Sequence, residues 1–254
     1  MKNTFNKTVA KLLRCPVDRH HSLVRKVGSF YCVKCNVYYQ SKYIKGIEIP
    51  DFLIKKENWK RGFRGLSSKF ISIFQTNSSV KRRLPKSRFV LDIGCGENAR
   101  GNINVDCYIP RQIPSNFILA NAEHLPFKNN CVDYVYCYYV IEHLINPALF
   151  VSNVYAISKQ RVEIITDNSE WFGDVIFRII GSGRIFHDEH TYKWSIEYIS
   201  NLIRRLGIKR FKAFALNLST TPFVKIVSIL GNIPRIGNFF YRDLKIIISK
   251  QSRV

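Results

Sequence analysis

Four residues within a short stretch carry the strongest chemical signal in the chain: Asp92, Gly94, Gly96 and Asp106. Two carboxylates around two residues that lack a Cβ suit the holding of a nucleoside. The glycines permit a tight turn and a close approach of ligand to backbone. A carboxylate at a strand end can accept hydrogen bonds from both hydroxyls of a ribose. Gly94, Gly96 and Ala99 also fit the dinucleotide pattern GxGxxA, but that fingerprint expects its acid about 20 residues further on, and only nine residues separate Gly96 from Asp106. A second set, Cys15, Asp18, Cys32 and Cys35, has metal-ligand spacing, because two thiolates of a CxxC turn can share one tetrahedral ion. Its fourth ligand is Asp18, which gives a Cys3Asp site, or His20 or His21, which gives Cys3His. A third set, Glu142, His143 and His190, offers groups able to take a proton from a hydroxyl or an amine. His187 and His190 also have metal-like spacing, although histidines beside acids more often make ordinary hydrogen bonds.

These residues need a frame. Phe89, Val90, Leu91 and Ile93 form a short apolar run with a β-branched bias, which predicts an interior strand covered on both faces, with Asp92 at its carboxyl end. Ile103 and Val105 predict the next strand, ending at Asp106. Further strands are expected near 117–120, 132–138 and 161–166, with helices near 147–158 and from Ser195. The stretches 208–216 and 241–249 predict an antiparallel pair that closes the sheet, with YRDLKIIISK as the edge member. The class is therefore α/β, a doubly wound, mostly parallel sheet. Residues 97–101 are too few for a crossover helix, so no helix dipole is expected at the glycine turn. Tyr134 and Tyr136 are expected to fill core. Glu142 and His143 either open a helix, where a carboxylate meets the dipole favourably, or face a ligand.

The segments VLDIGCG, INVD, NAEHLPF and CVDYVYCYYVIEHL follow one another over residues 88–166. Together they resemble the class I methyltransferases that use S-adenosylmethionine, of the type 11 group. The resemblance implies a Rossmann-like fold in which Asp92, Gly94 and Gly96 line the methionine and ribose of the cofactor and Asp106 holds the ribose hydroxyls. It places Asn121, Ala122 and Glu123 against the adenine, with Asn121 where the family usually has an acid. Tyr138, Glu142 and His143 fall in the segment facing cofactor and substrate, and His190 on the substrate side. The implied reaction is direct methyl transfer from a sulfonium, for which a protein supplies alignment, desolvation and at most one base, from among Glu142, His143 and His190. Residues 15–53 are similar to small zinc-ribbon modules that precede or assist some methyltransferases, which implies structural zinc. The expected organisation is a zinc-ribbon-like module at 1–54, a basic linker at 55–86 and a methyltransferase domain at 87–254.

Composition agrees with this plan. Of 254 residues 46% are hydrophobic, enough for one core and a small satellite. The seven cysteines have no disulfide-framework spacing and point to a reducing cytoplasm. No cleavable leader and no run of about 18 apolar residues is seen, and the stretches 172–180 and 222–240 read as caps over the site rather than as membrane-surface helices. Forty Lys plus Arg against 18 Asp plus Glu give a net charge of +22, and residues 1–86 hold 20 basic but only 4 acidic side chains. Such a field attracts polyanions, anionic lipid surfaces included. The interleaved aromatics Phe30, Tyr31, Tyr38, Tyr39, Tyr43, Phe52, Trp59 and Phe63 either stack on unpaired bases of RNA or form the small core of the ribbon and its connecting helix. Three functions are expected to compete: a methyltransferase acting on RNA or a ribosome-associated target, one acting on a small molecule, lipid or sugar, and a non-catalytic binding protein that uses the same fold.

Overall fold

The computed structural model of the chain describes residues 5–54, 87, 89–172, 190–216 and 237–250. The basic segment 55–86, His187, and all but the ends of the two cap stretches lie outside these residues.

Seven strands form the central sheet: β5 (Val90–Ile93), β6 (Ile103–Asp106), β7 (Phe117–Leu119), β8 (Val132–Tyr138), β9 (Ser158–Asp167), β10 (Phe211–Leu216) and β11 (Asp243–Ser249), ordered β10-β11-β9-β8-β5-β6-β7. β5 to β9 run parallel, and β11 lies antiparallel between β9 and β10. The sheet is thus the mostly parallel one expected, and every residue of β5 is buried. One expectation is corrected. The edge member of the closing pair is β10, and 241–249 supplies the inner strand. Charged residues such as those of β11 are common on edge strands, where they discourage self-association. Here they are consumed internally: Lys245 Nζ donates to Glu163 Oε1 at 2.7 Å, and Asp243 Oδ1 accepts from Tyr139 at 2.7 Å.

Helix α2 (Pro147–Ile157) begins with proline at its first turn, and the Asn146 side chain caps the Leu149 amide; these are favoured start signals. Helix α3 (Ile196–Arg205) is capped by Ser195, which accepts from the Tyr198 amide. Both bury apolar stripes in the core with Val135, Cys137, Val162, Ile164 and Ile246.

The connection from β5 to β6 contains no helix, as its length requires. It turns back along β5, where the Asn102 amide bonds to Val90 O (3.1 Å) and the Arg100 amide to Asp92 Oδ2 (2.7 Å). Gly101 makes the close return feasible: a Cβ there would lie 2.5 Å from Ile103 O and 2.7 Å from Val90 O.

Ahead of this sheet, α1 (Lys7–Ala10) precedes a four-stranded antiparallel sheet of β1 (Val24–Lys26), β2 (Ser29–Cys32), β3 (Val37–Ile44) and β4 (Ile47–Pro50). Its aromatic residues Phe30, Tyr39 and Phe52 belong to the same apolar cluster as Leu91, Ile118 and Phe127. Backbone bonds join it to the larger sheet at two places: Arg14 N to Pro126 O with Lys128 N to Leu12 O, and Phe52 N to Leu119 O at 2.8 Å. Buried Glu48 ties its parts together by accepting from the Phe5 amide, the Arg25 guanidinium and Ser41 Oγ.

Candidate functional site

The carboxyl ends of β5 and β6 lie where open α/β sheets receive ligands. Gly94 and Cys95 amides both donate to Val105 O, at 2.9 and 3.2 Å, which fixes the glycine turn against β6. Gly96 N donates to Asp106 Oδ2 (2.8 Å) and Tyr108 N to Oδ1 (3.0 Å). Each Asp106 oxygen keeps a further lone pair for a ribose hydroxyl. Gly94 has φ +68°, and a Cβ on it would stand 2.1 Å from Val140 Cγ2, so the turn closes on the segment after β8. Gly94→Ala is expected to cost about 1–3 kcal/mol of stability through this overlap and the left-handed backbone, read as a lower midpoint in thermal unfolding.

Asp92 is buried beneath the turn. Burial pushes its carboxyl up to about 6, opposed by the amide and the charge of Arg100. The Arg100 guanidinium lies 4.8 Å from the centre of the Tyr138 ring. Arg100 escaped the sequence reading; its signal was position, a cation within a crossover too short to hold a helix. Tyr138 donates to Glu163 Oε1 at 2.8 Å, and Tyr136 packs against it edge to face. Despite burial, Glu163 is held below the usual carboxylate range by Lys245, Tyr138 and Arg161.

The adenine loop folds as a 3-10 turn, Ala122–His124. Asn121 Oδ1 accepts from the Glu123 amide at 2.8 Å. The Glu123 carboxylate accepts from the Asn146 amide and its carbonyl from Asn153 Nδ2 (2.9 Å), so this side chain fixes the loop to the start of α2. Glu142 and His143 lie in a second 3-10 turn, Ile141–His143. The structure brings Glu142, His143 and His190 together, with one potential ligand atom from each inside a 4.8 Å group.

The N-terminal cluster assembles as well. Thiolates bound to zinc in a tetrahedron stand about 3.8 Å apart, and a thiolate and a carboxylate oxygen about 3.5 Å. Cys15 Sγ lies 3.8 Å from Cys35 Sγ, and Asp18 Oδ2 lies 3.3 Å from Cys32 Sγ and 3.5 Å from Cys35 Sγ. Of the three candidates for fourth ligand, Asp18 is the one placed among the sulfurs. The histidines stand behind it: the amides of His20 and His21 donate to Oδ1, and His21 Nδ1 lies 3.1 Å from Oδ2. Burial opposes ionisation of Asp18, but these amides and the two thiols hold its carboxyl well below the ordinary range. Tyr39, one of the aromatics read as a stacking platform or ribbon core, places its hydroxyl 3.2 Å from Cys15 Sγ.

Residues 97–166 match the family model described as a methyltransferase domain. Similar solved structures include an S-adenosylmethionine-dependent methyltransferase from Thermotoga maritima (21% identity, TM-score 0.49, covering 66% of this chain and 84% of that one). Another comes from Archaeoglobus fulgidus (20%, TM-score 0.44, 63% and 85%). A third is a phosphoethanolamine N-methyltransferase of Haemonchus contortus in complex with S-adenosylmethionine (16%, TM-score 0.42, 64% and 48%). No curated protein sequence matches the chain significantly. The residues fit the cofactor: the open space at Gly96 gives a close backbone approach, and Asp106 combines two engaged oxygens with spare acceptor capacity. The family match over residues 97–166 and the fit of these residues to S-adenosylmethionine support a methyltransferase that takes its methyl group from that cofactor.

Proposed function

We propose that the methyl acceptor is RNA or an RNA-containing target, recognised in part by the N-terminal module. The observation that carries this reading is the outer face of its sheet. Tyr31 and Tyr38 lie with ring centres 4.4 Å apart, and the Lys26 ammonium stands 5.0 and 5.1 Å from those centres. Tyr38 is 48% exposed, so an aromatic surface and a cation face outward together. Bases of any sequence can stack on such a surface while the charge meets phosphate. The excess of basic residues in the first 86 positions supplies the longer-range attraction. An RNA target and seven free cysteines fit a reducing cytoplasm. Among the described residues no helix is long and apolar enough to cross a membrane.

In this reading Cys15, Asp18, Cys32 and Cys35 bind one structural zinc ion and make the module a zinc ribbon. Four protein ligands close the coordination sphere, so the ion holds shape and performs no chemistry.

Binding of a fluorescent single-stranded RNA across a salt series tests the acceptor class. The expected slope of log affinity against log salt corresponds to several phosphates, and Tyr38→Ala weakens binding by about tenfold, within the usual range for one stacked base. A flat slope with no effect of Tyr38→Ala would instead favour a small molecule, lipid or sugar as acceptor.

A further inference from the structure

Glu142 is a buried carboxylate that its surroundings leave half satisfied. Its residue is 1% exposed, and Oε2 accepts from Thr166 Oγ1 at 3.0 Å. Oε1 has no hydrogen-bond partner among the described residues. Burial, and then the nearby charge of Asp167, push the carboxyl up to about 8. A carboxylate so placed is costly unless a proton or a cation neutralises it.

Two imidazoles stand beside it. The amides of Thr191 and Tyr192 donate to the Glu142 carbonyl, at 2.8 and 3.0 Å, and dock the chain that carries His190. The rings of His143 and His190 meet edge to face with centres 4.6 Å apart. A carboxylate oxygen of Glu142 and one ring nitrogen from each histidine lie within 4.8 Å of one another. Asp167 Oδ2 sits 3.8 Å from His190 Nδ1 and adds negative charge beside the group. One carboxylate and two imidazoles form a donor set for a first-row divalent cation, quite unlike the thiolate-rich group at Cys15. The cluster begins two residues beyond Val140, the side chain that closes on Gly94.

We propose that Glu142, His143 and His190 bind one divalent cation whose open coordination positions take an oxygen of the methyl acceptor. The second half of this statement rests on the methyltransferase reading and names the acceptor atom. A hydroxyl bound to the cation loses its proton to water more readily than a free one. Its oxygen then forms the bond to the methyl carbon while the carbon–sulfur bond of the sulfonium breaks, and the bonding pair remains on sulfur in S-adenosylhomocysteine. Glu142 and the histidines thereby act as ligands, and none of them need serve as the base.

Mn2+ is the probe, because it binds carboxylate and imidazole in preference to thiolate. It is titrated into the full chain carrying one equivalent of zinc, with free Mn2+ read by electron paramagnetic resonance and bound water by proton relaxation. One saturable site with exchangeable water is expected. Glu142→Gln, nearly isosteric, and His190→Ala should each weaken it by about tenfold or more. S-adenosylmethionine binding, followed by calorimetry in the same variants, reports that they remain folded. Absence of a saturable site in the native chain, or unchanged Mn2+ affinity in both folded variants, overturns the proposal. Mn2+ binding by a chain that does not bind S-adenosylmethionine would leave the cation site standing and overturn its role in methyl transfer.

Discussion

Asp106→Ala lowers the affinity for S-adenosylmethionine by at least about tenfold, or 1.4 kcal/mol, in calorimetric titration of the folded chain. Two losses combine. The ribose hydroxyls lose a charged acceptor, and hydrogen bonds to charged groups are worth about 1.5–3 kcal/mol. The Gly96 and Tyr108 amides lose theirs as well, because each Asp106 oxygen holds one of them. The turn that approaches the ligand is therefore loosened by the same substitution. Asp106→Asn separates the two effects. It keeps one acceptor oxygen but replaces the other with an amide nitrogen that cannot accept from Gly96 or Tyr108. Its affinity should fall between the native and alanine values. Equal affinity in all three proteins would remove Asp106 from the cofactor site.

Loss of the proposed zinc ion should have a larger effect on stability. Elemental analysis of the full chain is expected to find one zinc ion, and chelation is expected to unfold residues 15–50 in hydrogen exchange. Binding to the folded state alone contributes about 4 kcal/mol when free zinc exceeds its dissociation constant a thousandfold. For a chain of this size each kcal/mol moves the melting midpoint by about 2–4 °C, so the zinc-free protein should melt about 10 °C lower. The loss should spread beyond the module, since Cys15, Cys32 and Phe30 share one apolar cluster with Leu91 and Phe127. Without metal the Cys35 thiol keeps its proton, since burial and then hydrogen bonding with Cys15 and Cys32 push it up to about 12, and the cluster loses the ion that would hold it as a thiolate. Cys35→Ser should reproduce the destabilisation with zinc present. A chain that contains no zinc and melts at the same temperature with or without chelator would show the module to be held by its apolar frame alone.

The sequence announced some of this arrangement and concealed the rest, for identifiable reasons. Local patterns reported local structure. The apolar run before Asp92 became β5, the acid after Val105 ended β6, and Pro147 opened α2. The short segment 97–101 correctly excluded a helix, because length alone forbids one. What stayed hidden depended on partners distant in sequence. The inner place of β11 depends on Glu163 and Tyr139, which take up the charges of Lys245 and Asp243. The fourth member of the cysteine cluster could not be chosen between Asp18 and its histidine neighbours, since all three lie on one turn and only the folded turn decides which side chain points inward. The meeting of Glu142 with His190 spans 48 positions, and it is made by backbone bonds from Thr191 and Tyr192 that no side-chain pattern announces.

The contact between Phe52 and Leu119 has a further consequence. β7 is the last strand of the large sheet on its side, and a terminal strand presents unpaired amides and carbonyls that other chains can extend into aggregates. Asp51 forms a parallel bridge with Leu119, and the Phe52 amide takes up the Leu119 carbonyl. The end of the N-terminal module thus lies over that strand, where Ile49 packs with Phe117 and Leu119 in one buried cluster. Removal of residues 5–54 should therefore expose β7 and promote self-association, read by light scattering.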